Sequence, residues 1–593
     1  MVTVTRSACS STFRCRRSDG GVAIHFEIRN EYEDRVVREF SFRLAAGVSM
    51  ERHALLWPEG LGRRFHTPDA LGTGVQMGYP SGRGTMQWCA FAGSDDGLYI
   101  AAHDEAQLAK TFAANPRADG NVDLRVTMYP YVRPGETWTS PEFVVRPYRG
   151  TWHEAARLYR AWYDSEFNLA PQPRWVTESS GWLLGILKQQ NGEILWDYRH
   201  GIDRLAAVAL AHGLDTIGLF GWAHGGHDYL YPDYIPDPGM GGEAALREAI
   251  RRTRERGLRV VLYANGQLMD TSTAFYRYQG NRATSQRENT EPYVSSIRKF
   301  YSSTPVTFAQ GCCGAAPWSS RMRDLAQQAL RLGADGILYD QLGVIGPGHC
   351  HAPDHRHCRP SEAFTASRVE MVSTIAAEAR ARNADFVVMT EGVHDTLLPY
   401  IPYYHGWGTG SVPQSADETG EGSGNELFPQ LFRCTFPELV KTQRHSTPML
   451  DRYHANYAVY CGLRHEIEAR YAADTAYLLD ARVPDEEDYA DCTYYPPNVP
   501  LMQGTPPAEA TAYLKSLIEF ETRQAAFCRR GRYLGDEGLA ATAQPLRTAA
   551  LRAADGRLAV LVWNPTDETL DCPLDLVPGR SAVSADSPAG PVG

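Results

Sequence analysis

The chain has 593 residues, 43% hydrophobic and 22% charged, with 59 basic and 70 acidic side chains giving a formal charge of −11. This composition excludes collagen-like, fibrous and low-complexity proteins, and no stretch reaches the roughly 18 to 20 uninterrupted apolar residues that a membrane helix needs. At roughly 150 residues per domain, the length fits about four domains or one large α/β barrel with smaller satellites.

The mild acidity is spread along the chain without a basic face, so neither nucleic acid nor a membrane is expected as a partner. Aromatic residues make up 11%, including 31 Tyr and 12 Trp, a bias that suits stacking on sugar rings. Twelve cysteines never form CxxC, which disfavours a zinc ribbon. Met1 to Gly20 carries Arg6, Arg14, Arg16 and Arg17 but no apolar core, so the sequence reads as lacking a secretory signal, and a cytoplasmic protein with reduced thiols is expected.

In chain order, Val22, Ile24, Phe26 and Ile28 alternate with polar neighbours, and Phe40, Phe42 and Leu44 repeat the pattern. Further strands are predicted near Leu98–Ala101, Leu124–Tyr129 and Phe143–Arg146, so residues 1–148 read as a β-sandwich. The glycines at 72, 74, 78, 82 and 84 lack the Lys-Ser/Thr ending of a phosphate loop and read as a flexible surface loop. A linking helix follows within 149–178, with Ala155, Leu158, Tyr159 and Trp162 at helical spacing.

From residue 179 to 530, apolar strands alternate with amphipathic helices. The strands are Gly181–Leu184, Asp215–Trp222, Arg259–Asn265, Gly336–Asp340 and Phe386–Glu391. No GxGxxG follows the first strand, so the pattern predicts a (β/α)8 TIM barrel rather than an open dinucleotide-binding sheet. Strands six to eight are expected near Tyr400–His405, Leu431–Phe436 and Tyr457–Leu463, and a last helix over Ala508–Phe527. Residues 531–593, with the strand Leu558–Trp563, read as a small C-terminal β-domain that is short at its end. The fold class is therefore α/β, a barrel flanked by two β-domains.

In such a barrel the reactive groups stand at the carboxyl ends of the strands. Those ends carry Trp222, His227 and Asp228 after the second strand, Asn265 on the third, Asp340 and Gln341 on the fourth, and Glu391 and Asp395 on or after the fifth. Asp340 and Glu391 sit one βα unit apart, which places two carboxyls at one mouth, as glycosidic bond cleavage requires. The same acids could instead cap helices or bind surface arginines. Trp222 and Trp407 are candidate platforms for a sugar ring, His227 and Asp228 candidate partners for its hydroxyls, and Asn265 and Gln341 neutral groups suited to vicinal hydroxyls.

The stretch Cys350-His351-Ala-Pro-Asp354-His355-Arg-His357-Cys358 holds the one metal-ligand spacing of the sequence, and a Cys350–Cys358 disulfide is its alternative. The expectation is nevertheless no metal and no cofactor.

Several segments resemble, in order, a glycosidase-like barrel family known as domain of unknown function 6259. They are Gly150-Thr-Trp-His-Glu-Ala-Ala-Arg-Leu-Tyr-Arg-Ala-Trp162, Leu219-Phe-Gly-Trp222-Ala-His-Gly-Gly-His227-Asp228 with Tyr231-Pro-Asp-Tyr234 and Gly241-Gly242, Gly336-Ile-Leu-Tyr-Asp340-Gln341, and Arg433-Cys-Thr-Phe-Pro-Glu438. That family is similar to glycoside hydrolase family 101 and more distantly to families 13, 27 and 36. The resemblance implies Asp340 as nucleophile and Glu391 as acid/base, with Asp395, Asp417 or Glu418 as rivals for the second role. It also implies that His355 and His357 lie in a substrate loop. The expected activity is that of a retaining hydrolase acting on a carbohydrate, most simply an α-glycoside. A non-catalytic carbohydrate-binding barrel and a sugar isomerase or lyase are the competing readings.

Overall fold

A computed structural model describes the chain except residues 1, 7–8, 19, 347, 407–423, 445–451, 494–502, 505, 541–544, 567, 571–583 and 593. Eight parallel strands follow one another in chain order: β1 (Gly181–Ile186), β2 (Thr216–Phe220), β3 (Arg259–Asn265), β4 (Gly336–Asp340), β5 (Val387–Glu391), β6 (Tyr403–His405), β7 (Thr442–Arg444) and β8 (Arg464–Ala469). β1 to β5 each pair with the next, β7 pairs with β8 and β8 with β1, while β6 and β7 meet only through the isolated parallel bridge of Tyr404 with Lys441, where Tyr404 N donates to Val440 O at 3.1 Å. The sheet is thus closed into a barrel.

The helices outside it bury the stripes their spacing predicts. Leu246, Ala249, Ile250 and Thr253 are buried on Gly242–Glu255, and Met322, Leu325, Ala329 and Leu332 on Ala316–Leu332. Between β5 and β6 there is only the short turn Asp395–Leu397. The helix His153–Glu166 packs against that turn, and Tyr163 Oη donates to Asp395 O at 2.8 Å.

Strands six to eight correct the sequence reading. β6 falls where expected, but Leu431–Phe436 lies largely in a helix, Gln430–Thr435, and Tyr457–Leu463 begins in another, Arg452–Tyr460. The true β7 and β8 follow each of them. The last long helix runs over Pro507–Arg523.

Two antiparallel sheets precede the barrel. One carries Gly21–Asn30, Glu142–Arg149, Asp96–His103 and Trp88–Ala92 side by side; the other is Phe40–Ser49, Asn121–Met128, Lys110–Pro116 and Val75–Tyr79. Their inner faces share one core, where the Phe26 and Phe42 rings lie 4.0 Å apart and Phe42 meets Phe143 at 4.9 Å. The loop after β6 returns to this unit, because Asn425–Leu427 pairs with Arg63–Phe65 at the edge of the larger sheet. After the barrel, Arg532–Gly535, Arg547–Arg552 and Leu558–Trp563 form a small antiparallel sheet.

The glycine cluster is a surface loop only at its start, where Gly72 lies in an exposed turn; Gly82 and Gly84 are buried. Gly78 lies in the strand Val75–Tyr79, and a Cβ on Gly84 would stand 2.5 Å from Gly78 O. Close approach of neighbouring atoms accounts for Gly74 and Gly84, whereas Gly72 meets nothing and takes a left-handed backbone, φ 58°. Gly82 N reaches Val344 O in the loop after β4, so the cluster braces that loop. No helix among the described residues is long and apolar enough to cross a membrane.

Candidate active site

Residue alternation decides what faces the barrel interior. Tyr339 turns outward, its hydroxyl donating to Met322 O of the flanking helix at 2.5 Å, so Asp340 turns inward. On the neighbouring strand Tyr263 and Asn265 share that inward face, with Asn265 paired to Asp340. Tyr263 Oη donates to Asp340 Oδ2 at 2.9 Å, and Asn265 Nδ2 lies 3.3 Å from the same oxygen. Burial above all, and then the Asp340 charge, push the Tyr263 hydroxyl well above its usual range, so it stays a donor. Oδ1 of Asp340 accepts no hydrogen bond from the described residues. One oxygen is held and the other is not.

Glu391 closes β5 on the same face. The pairing runs Tyr339 to Thr390, and one step further sets Asp340 beside Glu391. Gln341 N donates to Glu391 Oε2 at 3.2 Å, which ties the residue after one acid to the carboxyl of the other. Gln341 does so from a left-handed backbone, φ 63°, a conformation that costs roughly 1–2 kcal/mol for a residue with a Cβ. Two features hold it there. Thr390 Oγ1 bridges Tyr339 O and Gly343 N, and a Cβ on Gly343 would stand 2.6 Å from Glu391 O.

The rest of the mouth is a buried charged network. Asp228, after β2, forms an ion pair with Lys299 at 2.5 Å, and Tyr231 Oη donates to it at 3.3 Å. Burial alone would raise the Asp228 carboxyl; the Lys299 ammonium outweighs it and holds the group ionised, below the usual carboxylate range. Burial and the Lys299 charge keep the His227 imidazole neutral. Past β8, Arg470 pairs with Glu468 at 2.7 Å. Deeper in the barrel, Glu466 meets His405 at 2.9 Å and Thr442 at 2.5 Å, while burial lowers Lys441 to about 8 against the pull of Glu466 and Glu391.

Asp340, Glu391, His227, Asp228, Asn265 and Gln341 thus come to one end of the barrel. Asn265 differs from expectation in its partners. Its Oδ1 accepts from Gln267 N and Leu268 N, and its amide nitrogen turns to Asp340, so it orients the carboxylate instead of standing free for a substrate. Trp222 is only 3% exposed, donates to Tyr263 O at 2.8 Å and stacks on Tyr234, which rules it out as a sugar platform.

Asp395 is likewise no mouth residue. Wholly buried, it receives the hydroxyls of Tyr79 and Tyr159 and joins β5 to the N-terminal sheet; burial, against those two hydrogen bonds, pushes its carboxyl up to about 7. His355 and His357 face the thiols of Cys350 and Cys312, not the mouth. Cys350 and Cys358 are both free thiols, with Cys358 exposed, so no disulfide joins them. Trp407, Asp417 and Glu418 lie outside the described residues.

Sequence reasoning missed Tyr263, Lys299, Arg470 and Glu468. Tyr263 was available to it, since it stands two positions before Asn265 on a strand and must share its face. Tyr263→Phe removes a hydrogen bond to a charged group, worth roughly 1.5–3 kcal/mol. If Asp340 reacts, kcat is expected to fall roughly ten- to hundredfold with KM little changed and the thermal midpoint lowered by no more than a few degrees. Steady-state kinetics beside a melting curve check this, and an unchanged kcat removes Tyr263 from the positioning role.

A closed parallel barrel with paired acids on its fourth and fifth strand ends defines a (β/α)8 barrel protein with a carboxylate site. Within that class, the profile of the family described as "Domain of unknown function (DUF6259)" matches residues 138–441, and the chain belongs to that family. A Bacteroides thetaiotaomicron protein provisionally named a glycoside hydrolase is 24% identical over 295 residues, which span 48% of this chain and 41% of that protein. The α-N-acetylgalactosaminidase NagBb of Bifidobacterium bifidum, in complex with GalNAc, superposes with a TM-score of 0.65 at 13% identity, covering 95% of this chain and all of that one. The GH36 α-galactosidase AgaB of Geobacillus stearothermophilus gives 0.52 at 11% identity, over 92% of this chain and 71% of its own. At these identities the two structures establish a shared fold.

Proposed function

We propose that this chain is a retaining glycoside hydrolase for an α-linked sugar, with Asp340 as nucleophile and Glu391 as acid and then base. One observation carries the reading: two inward carboxyl groups occupy neighbouring positions on adjacent strands, one with an unengaged oxygen. Parallel strands lie about 4.8 Å apart. That spacing suits the roughly 5–5.5 Å between the carboxyls of retaining enzymes and falls short of the roughly 6.5–9.5 Å that inverting ones need for an intervening water.

Asp340 Oδ1 attacks the anomeric carbon while Glu391 gives a proton to the departing oxygen. The bond to the leaving group breaks as the glycosyl ester forms. Glu391 then takes a proton from water, which attacks the same carbon and frees Asp340. The ionised Asp228 and its partner Lys299 serve as hydrogen-bonding groups for hydroxyls of the bound sugar. The provisional name of the Bacteroides relative supports the hydrolase class. NagBb and AgaB support the α anomer and make galactose and N-acetylgalactosamine the first sugars to test.

A panel of nitrophenyl α- and β-glycosides of these sugars and of glucose tests the reading. Release from an α-glycoside, with the first-formed sugar still α by NMR, is expected. Inverted product, or release from none of the panel by protein of native melting behaviour, overturns it.

A further inference from the structure

Beside the barrel mouth lies a second cluster that the proposed hydrolysis does not use. Cys312, Cys350, His355 and His357 each present one ligand atom, and these atoms all lie within 4.8 Å of one another. Three of the four residues are buried and the fourth is half-buried. The sequence places them on separate pieces of chain. Cys312 follows the strand Val306–Gln310 and precedes the helix Ala316–Leu332, whereas the other three lie in the loop after β4.

We propose that these four side chains form a structural zinc site that fastens the loop after Asp340 to the segment before the Ala316–Leu332 helix. Two sulfurs and two imidazole nitrogens are a ligand set that a tetrahedral zinc ion takes, and soft donors of this kind disfavour calcium or magnesium. The spacing agrees. Cys350 Sγ and His355 Nδ1 are 3.4 Å apart, close to the roughly 3.5 Å that sulfur and nitrogen ligands subtend across a tetrahedral zinc with bonds of about 2.3 and 2.0 Å. The His355 and His357 rings stand at 87° to each other, 5.6 Å between centroids, so they approach the cluster from different directions. The Nε2 atoms of both are buried without a hydrogen-bond partner among the described residues.

Charge points the same way. Two thiolates neutralise a divalent ion, so the loaded cluster carries no net charge and can stand in a buried place where an isolated thiolate could not. Gln286 N donates to the Cys350 sulfur at 3.4 Å, the kind of contact that supports a thiolate ligand. Loading releases thiol protons to solvent, so zinc affinity falls as the pH is lowered. Cys313 and Cys358 stay outside the set, the first buried in the core and the second exposed.

The site stands independently of the proposed hydrolase. Its loop also carries Gln341, whose N–H holds Glu391, and it is braced by Gly343 against the end of β5. The ion would therefore stiffen the framework of the mouth without touching a substrate.

The test uses the full chain, purified under reducing conditions from zinc-supplemented medium and dialysed. Elemental analysis is expected to give about one zinc per chain. Exchange into cobalt is expected to give the strong visible ligand-field bands of tetrahedral cobalt with thiolate charge-transfer absorption. Cys312→Ser and Cys350→Ser should lose these signals and Cys358→Ser should keep them. If the two serine variants do not fold, the wild-type stoichiometry and cobalt spectrum still decide the matter. Folded wild-type protein that holds no zinc, octahedral cobalt without thiolate absorption, or equal loss of signal in Cys358→Ser overturns the proposal.

Discussion

Asp340→Ala protein is expected to lose on the order of a thousandfold or more of its turnover on any aryl glycoside that the wild type cleaves, because in the proposed mechanism Asp340 forms the covalent bond to the anomeric carbon. Its fold should survive. Asp340 is half-buried at a strand end, and its loss leaves Tyr263 and Asn265 still bonded to each other at 3.2 Å. Sodium azide supplies the missing nucleophile from solution. It is expected to enter the space left by the carboxylate, attack from the same side, and yield a glycosyl azide of inverted configuration, identified by NMR. Turnover near the wild-type rate would show that Asp340 is not the nucleophile.

Glu391→Gln gives the second large effect, and its signature is selectivity. An amide cannot donate a proton to a departing alkoxide, yet a dinitrophenolate leaves without help. In kcat/KM, which reports formation of the glycosyl-enzyme, the loss is expected to be within about tenfold for a dinitrophenyl glycoside and roughly 10²- to 10⁴-fold for an alkyl glycoside. Equal losses on both substrates would take the acid role away from Glu391. Glu391 is buried and accepts from Gln341 N, a bond that the glutamine oxygen can keep, so the variant should hold the loop in place.

The first five barrel strands could be read from sequence because each is a short apolar run, the pattern of a strand that buries both faces, and β3, β4 and β5 close on Asn265, Asp340 and Glu391. β7 and β8 hide for the opposite reason. Arg464–Ala469 reads RHEIEA, a charged string, yet all six residues are buried. His465 turns outward to Glu521 at 2.8 Å, and Glu466 turns inward to His405. His465 and Glu466 are matched by partners distant in sequence, which hydrophobic patterning cannot see. The apolar runs near 431 and 457 drew the assignment instead, and short apolar runs do not distinguish helix from strand.

The site divides along the same line. Asp340 and Glu391 were legible because an acid at the end of an apolar strand is conspicuous by itself. Lys299 lies in the long connection between β3 and β4, with no periodic pattern to place it against Asp228. Cys312 is far in sequence from Cys350, so the Cys-His stretch looked like a local motif with Cys358 as its end. Trp222 and Asp395 failed in the other direction: proximity to a strand end does not say whether a side chain faces the mouth or the packing behind it.

The pairing of Asn425–Leu427 with Arg63–Phe65 bears on how the molecule is assembled. A ribosome delivers the larger N-terminal sheet early, but the outermost ladder of that sheet stays unfinished until residue 427 has emerged. Throughout that interval Arg63–Phe65 presents open backbone donors and acceptors, the kind of edge that recruits neighbouring chains. The barrel loop therefore acts as a late-arriving cap on a nascent sheet, and the two units complete each other during synthesis instead of maturing one after the other.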